Sequence, residues 1–161
     1  MSLKVEDVMV KDIITIGAEA TVEKAVEIMN KYNIGCLIVA EGRRPIGIVT
    51  ERDMLKRVLL QKKNPKKIIV DDVMSRPLIV SAPKTAIHNA VRVMNERNIK
   101  KLPVVKDGDL QGLVSLTDVV RSLAYFEHAI SSLCARCQFR KRSTDPSNLP
   151  KLHNSDHPHS S

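Results

Sequence analysis

Gly47-Ile48-Val49-Thr50-Glu51-Arg52-Asp53 and Gly112-Leu113-Val114-Ser115-Leu116-Thr117-Asp118 lie 65 residues apart and share one pattern. Each reads glycine, two aliphatics, a hydroxyl residue, two variable positions and an aspartate. The apolar run suits the end of a strand, and the T/S-x-x-D that follows suits the start of a helix. One reading is a capping box, in which the hydroxyl at the N-cap and the carboxylate at N3 satisfy backbone N–H groups reciprocally. The other is a polar site, because a strand that feeds a helix N-terminus presents unpaired donors. An aspartate there can accept both hydroxyls of a ribose, and the Thr or Ser hydroxyl can reach the same sugar or a phosphate. One residue can do both jobs.

The two stretches belong to a longer repeat. A shift of 65 aligns residues 5–60 with 70–125 without a gap and gives 16 identities in 56 positions. Val5, Asp7, Val8 and Met9 meet Val70, Asp72, Val73 and Met74. Met29, Asn30, Asn33 and Ile34 meet Met94, Asn95, Asn98 and Ile99. Two copies of one structural unit follow. In each, an apolar stripe at helical spacing (Val22, Ala25, Val26, Met29; Ile87, Ala90, Val91, Met94) predicts a helix, with Thr21 and Thr85 as N-caps. Two short apolar runs around a polar turn then predict a hairpin: Leu37–Val39 with Ile46–Val49, and Leu102–Val105 with Leu110–Val114. A short strand at Ile13-Ile14 or Leu78-Ile79 makes each unit β-α-β-β-α, an α/β (α+β) class with two copies packed about an approximate twofold. The expected domains are 5–64 and 70–126, joined by a basic linker broken at Pro65, with a basic tail at 127–161.

Composition narrows the function. The 161 residues carry 26 Lys plus Arg against 18 Asp plus Glu, a formal charge of +8, and 43% hydrophobic residues. A chain of this length buries about two thirds of its unfolded surface, enough for a core without disulfide staples. No apolar run approaches the roughly 20 residues of a membrane helix, and the charged N-terminus has no secretory stretch. A soluble cytoplasmic protein is expected. Aromatic residues are 2% of the chain, with no Trp. That weighs against base-stacking nucleic-acid modules, although the basic charge leaves a nucleic-acid-associated regulator as the alternative. A flat ligand must sit between aliphatic side chains. The repeated region offers Asp, hydroxyls and Lys, but no repeated His or Cys and no glycine-rich phosphate loop. No enzyme activity and no required cofactor are expected.

The Asp-Val-Met opening, the gapless repeat and the paired G-h-h-[TS]-x-x-D elements resemble a tandem pair of cystathionine β-synthase (CBS) domains, a Bateman module, over residues 5–125. The resemblance implies two units that pack sheet to sheet, pair into homodimers and bind AMP, ADP, ATP or S-adenosylmethionine in the clefts between them. It assigns the ribose to Asp53 and Asp118, with Thr50 and Ser115 assisting. It assigns the adenine to backbone of the first strands, around Ile14-Thr15 and Ile79-Val80. Phosphate contacts fall just before the middle strand, at Lys100-Lys101 beside Pro103 in the second copy and at Gly35-Cys36 in the first. Only the former can neutralise a phosphate, so unequal sites are expected; solvated lysines at a helix end are the alternative. Arg52 is a further phosphate candidate. His88 reads as a surface residue and Gly35-Cys36 as close packing. With no catalytic domain in the repeat, the effector is expected to be another protein chain or the tail.

The tail holds Cys134-x2-Cys137-x15-His153-x3-His157, a spacing inside the Cys2His2 zinc template. Pro146, Pro150 and Pro158 and the thin apolar content argue for a disordered tail instead.

Overall fold

The computed structural model describes residues 3–124. In the first copy α1 (Val5–Val8) is followed by β1 (Thr15–Ile16), α2 (Val22–Tyr32), β2 (Cys36–Glu41), β3 (Arg44–Thr50) and α3 (Glu51–Asp53). A π-helical segment, Met54–Leu59, continues α3. In the second copy a 3-10 turn (Val70–Asp72) replaces α1, and α4 (Ile87–Glu96), β4 (Lys101–Lys106) and β5 (Asp109–Ser115) follow. Residues 116–124 are helical (α5).

Local chemistry explains these boundaries. Thr21 caps α2, its Oγ1 accepting from the Lys24 N–H at 3.2 Å. Asn33 and Asn98 take left-handed backbone, φ 52° and 51°, where their helices end. Asparagine tolerates that conformation better than most residues, and it lets the Ile34 and Ile99 N–H groups return to the Met29 and Met94 carbonyls at 3.0 and 2.9 Å. The second hairpin turns on Asp107-Gly108, both with positive φ, the geometry that matches the twist of paired strands.

The pairing repeats residue for residue. Ile16 pairs with Val39 in parallel, and Ser81 meets Val104 in the same sense, each 65 residues on. Both hairpins run from Cys36↔Thr50 or Lys101↔Ser115, and both shift register after Val39 or Val104. The first strands fall later than the sequence suggests. Strand β1 is Thr15–Ile16, not Ile13-Ile14, and its counterpart is the single bridge at Ser81. Ile16 is buried in the core, and Ile14 packs against it from a half-buried position. In the second copy Thr85 does not cap α4, since Ala86 occupies that position and has no side-chain cap. Val26 is also off the buried stripe of α2, at 44% exposure, whereas Val22, Ala25 and Met29 are buried.

The two copies exchange their opening segments. Val10 of the first copy and Leu113 of the second exchange N–H···O bonds of 2.9 Å in both directions. Ser75 and Ile48 do the same in the opposite sense, at 2.8 and 3.2 Å. Each core is therefore mixed. Val70, Val73 and Met74 complete the cluster around Leu37, Val39 and Val49. Val5, with Val8 and Met9 packed against it, completes the cluster around Leu102, Val104 and Val114. Burying one such valine contributes about 1.5–3 kcal/mol.

Two glycines make room for the exchange. A Cβ on Gly112 would lie 2.5 Å from Met9 Sδ and 3.0 Å from the Val10 carbonyl oxygen. A Cβ on Gly47 would lie 2.5 Å from Met74 Sδ. The Asp-Val-Met opening and the motif glycine are thus contact partners across the repeats. Overpacking a filled core costs typically 1–3 kcal/mol. Gly112→Ala should therefore lower the unfolding free energy by about 1–3 kcal/mol in urea titrations. Gly17→Ala, where nothing lies within 4 Å of the added carbon, should change it by about 0.5 kcal/mol or less.

Candidate functional site

Both aspartates close their capping boxes. Asp53 Oδ2 accepts from the Thr50 N–H at 2.9 Å and from the Thr50 hydroxyl at 2.6 Å, and Thr50 Oγ1 accepts from the Asp53 N–H at 3.3 Å. The equivalent distances for Ser115 and Asp118 are 3.0, 2.6 and 3.2 Å. The capping reading is therefore realised, and it occupies one carboxylate oxygen. The other oxygen of Asp53, Oδ1, lies 3.5 Å from Arg57 Nε.

Arg57 is a residue that the sequence pattern did not single out. Its guanidinium donates to the Val73 and Met74 carbonyls at 2.6 and 2.7 Å and to Ser75 Oγ at 3.2 Å. It ties the helix after the first motif to the opening segment of the second copy. Its position in the second copy is Ser122, so the repeat itself held no signal for it.

Each motif opens onto a cleft walled by the other copy. The first cleft, about 520 Å³, joins Thr50 and Asp53 to Leu78, Ile79, Lys100, Lys101 and Pro103. The second, about 420 Å³, joins Ser115 and Asp118 to Ile13, Ile14, Ile34 and Cys36. Small-molecule pockets are commonly about 300–1,000 Å³. The walls are aliphatic: Ile48, Ile79, Ile99 and Pro103 in the first, Ile14, Ile34, Ile38 and Leu113 in the second.

The structure brings most of the expected residues to these clefts. Gly35, Thr50, Arg52, Asp53, Ile79, Lys100, Lys101 and Pro103 line the first; Ile14, Gly35, Cys36, Lys101, Ser115 and Asp118 line the second. Thr15 and Val80 line neither and are exposed. Thr15 itself pairs with Ile38, and Val80 precedes the Ser81 bridge; strand alternation turns their side chains away from those of Ile16 and Ser81. Lys100 faces the first motif and not that of its own copy, whereas Lys101 lines both clefts. Lys56 in the first cleft, and Asp12 and Arg121 in the second, join the expected set.

Lys101 borders both clefts, and its ammonium acts on the Cys36 thiol. Burial pushes that thiol up, the Lys101 ammonium pulls it down, and Glu51 pushes it up; the net direction is up. Gly35 is a close approach, since a Cβ there would lie 2.9 Å from Glu51 Oε2. His88 is exposed, as expected. The zinc candidates Cys134, Cys137, His153 and His157, and the tail as a whole, lie outside the described residues. Among the described residues no group of three or more His, Cys, Asp or Glu could hold a metal ion. No helix among them is long and apolar enough to cross a membrane.

Comparison with known proteins bears on these clefts. The CBS domain family model matches residues 5–60 and 70–125. Protein MK0525 of Methanopyrus kandleri is 37% identical over 129 residues, 77% of this chain and 64% of that one. The mitochondrial CBS domain-containing protein CBSX3 of Arabidopsis thaliana is 37% identical over 113 residues, 67% of this chain and 54% of that one. The chain thus spans between half and two thirds of the length of these relatives. Among solved structures, the CBS domain pair of protein MJ0100, in complex with 5-methylthioadenosine and S-adenosyl-L-methionine, superposes with a TM-score of 0.71. It is 26% identical, over 78% of this chain and 99% of that one.

The raised thiol has a consequence for stability against pH. The folded chain holds the Cys36 proton above the ordinary value of 9.0. The associated stabilisation is intact below about pH 9 and declines as pH rises further, because the unfolded chain then ionises first. Wild type should lose more stability between pH 8 and 10 than Cys36→Ala does, measured by urea midpoints. Peptide mapping should show Cys36 alkylated more slowly by iodoacetamide in folded than in urea-unfolded protein.

Proposed function

Since the chain belongs to the CBS domain family and carries two such domains in tandem, we propose that it is a regulatory module that senses an adenosine-containing ligand: AMP, ADP, ATP or S-adenosylmethionine. The observation that carries this reading is the division of labour on the motif aspartates. Each spends one oxygen on its own helix cap and lines a cleft with aliphatic walls, with the second oxygen left outside the cap. A ribose fits that arrangement, since its hydroxyls are donors and Asp53 Oδ1 or Asp118 Oδ1 is an acceptor. Thr50 and Ser115 assist from the cap. The adenine lies between aliphatic side chains near Ile79 or Ile14. Arg52, Lys100 and Lys101 serve phosphate. Burial of both faces of the base supplies the apolar part of the affinity.

The reading gives the chain no catalytic role and no required cofactor. Adenine nucleotides abound in the cytoplasm, the location it assigns. The output passes to another protein. In thermal-shift titrations, at least one of AMP, ADP, ATP or S-adenosylmethionine should raise the melting temperature through mass action. A ligand at a hundred times its Kd adds about 2.7 kcal/mol. If all four at millimolar concentration leave it unchanged while a short DNA duplex raises it, the nucleic-acid alternative replaces the sensor.

A homodimer belongs to the same proposal. Leu55, Leu59 and Leu60 on the π-helical segment and after it are 58, 69 and 77% exposed. Val120 and Leu123 on α5 are 65 and 51% exposed. Val120 stands at the repeat position of Leu55, so both copies present apolar side chains on the same helix. Clustered exposed apolar residues mark interaction surfaces. Analytical ultracentrifugation at high micromolar concentration should return a dimer mass, and Leu59→Glu/Leu123→Glu should return a monomer with unchanged circular dichroism. A clean monomer for the wild-type chain overturns the dimer.

A further inference from the structure

We infer that the two clefts divide ligands by charge: the cleft of Thr50 and Asp53 takes the nucleoside polyphosphate, and the cleft of Ser115 and Asp118 takes a nucleoside ligand without phosphate. The adenosine part of this inference rests on the function proposed above; the charge part does not. Arg52, Lys56 and Lys100 all line the first cleft and are exposed. None of the three forms an ion pair with another described residue. Arg57 in the same cleft is held by the Val73 and Met74 carbonyls. The first three are therefore free to close on a flexible anionic tail.

The repeat shows how the second cleft lost that capacity. At the two positions before the middle strand, the first cleft receives Lys100 and Lys101 from the second copy. The second cleft receives Gly35 and Cys36 from the first. Where the first cleft is lined by Pro77, the second is lined by the carboxylate of Asp12. Arg52 likewise gives way to Thr117, while the Glu51 carboxylate of the first cleft has Leu116 as its counterpart, so the first cleft carries five cations against two anions. Among the described residues, Lys101 and Arg121 then face Asp12 and Asp118 in the second cleft. A polyphosphate is repelled by the added carboxylate, and a neutral or cationic nucleoside is not.

The test is isothermal titration of the full chain with ATP, inorganic tripolyphosphate and adenosine, at low and moderate salt. The expected result is one ATP site per chain, weakened by salt, with tripolyphosphate competing for it. Adenosine should still bind ATP-saturated protein, one per chain, with little salt dependence. Lys56→Ala/Lys100→Ala should weaken ATP and tripolyphosphate at least tenfold and change adenosine less than twofold. Lys62→Ala/Lys63→Ala, the same charge change in the exposed linker, should change ATP less than twofold. Two equivalent ATP sites overturn the inference and leave the sensor reading standing. So does an ATP affinity indifferent to the cleft substitutions, or full competition between adenosine and ATP. Tripolyphosphate binding that the cleft variant abolishes, with no response to any adenosine compound, does the reverse: the charged cleft stands and the adenosine reading falls. Absence of both ATP and tripolyphosphate binding overturns the charge assignment.

Discussion

The packing of Met9 over Gly112, and of Met74 over Gly47, is the constraint on which the rest of the structure depends. Each methionine belongs to the opening segment of one copy and each glycine to the last strand of the other. The backbone bridges beside them, Val10 with Leu113 and Ser75 with Ile48, hold the segments in register. Neither copy completes its own core. Removing an opening segment would uncover Leu37, Val39 and Val49 in one half, or Leu102, Val104 and Val114 in the other. The two copies therefore stabilise one another, and the cleft walls they share are fixed by the same contacts that fill the cores.

That exchange also decides how chemistry is distributed. A motif aspartate and its cap come from one copy, while the opposing wall comes from the other. Substitutions in one copy therefore alter the cleft that carries the other copy's motif. Lys100 belongs to the second copy and lines the first motif's cleft, Lys101 lines both clefts, and Asp12 belongs to the first copy and lines the second motif's cleft. An asymmetric pair of sites follows from a nearly symmetric pair of folds. Arg57 extends the logic, since it reaches from the first motif's helix to the second copy's opening segment and has serine at its repeat position.

Much of this was legible in the sequence, for physical reasons that also mark where legibility stopped. The capping box is local, so Thr50 and Asp53 announce their hydrogen bonds through spacing alone. The hairpins announce themselves through apolar runs and the Asp107-Gly108 turn. The fold class followed from the repeat, and the matched family agrees with it. The exchange was not legible, because the 65-residue shift makes Met9 and Met74 equivalent and periodicity does not say which glycine either one meets. The first strand lies later than Ile13-Ile14 suggest: both line a cleft, Ile14 only partly reaches the core, and Ile16 is the buried residue. Thr85 looks like a cap by residue type, but the repeat frame puts Ala86 at the helix start. Val26 fits the helical period and is still exposed, since a short helix against a small sheet buries a narrow face.

The two readings of T/S-x-x-D are one mechanism seen from two sides. The oxygen that caps the helix fixes the position of the oxygen left outside the cap, because both sit on one planar carboxylate. A 2.6 Å hydroxyl bond and a backbone bond hold that plane before any ligand arrives. Under the sensor reading proposed above, ligand binding needs little reordering of the aspartate, which limits the entropy lost on association. The same rigidity couples in the other direction. For Asp53 that second oxygen also touches Arg57, and Arg57 holds the Val73 and Met74 carbonyls. A donor that draws Oδ1 away from Arg57 alters a tie between the two copies. For Asp118 the corresponding position is serine, and that tie is missing. Under the sensor reading proposed above, occupancy of the first cleft is linked to the contact between the copies through Arg57, and occupancy of the second lacks this arginine link.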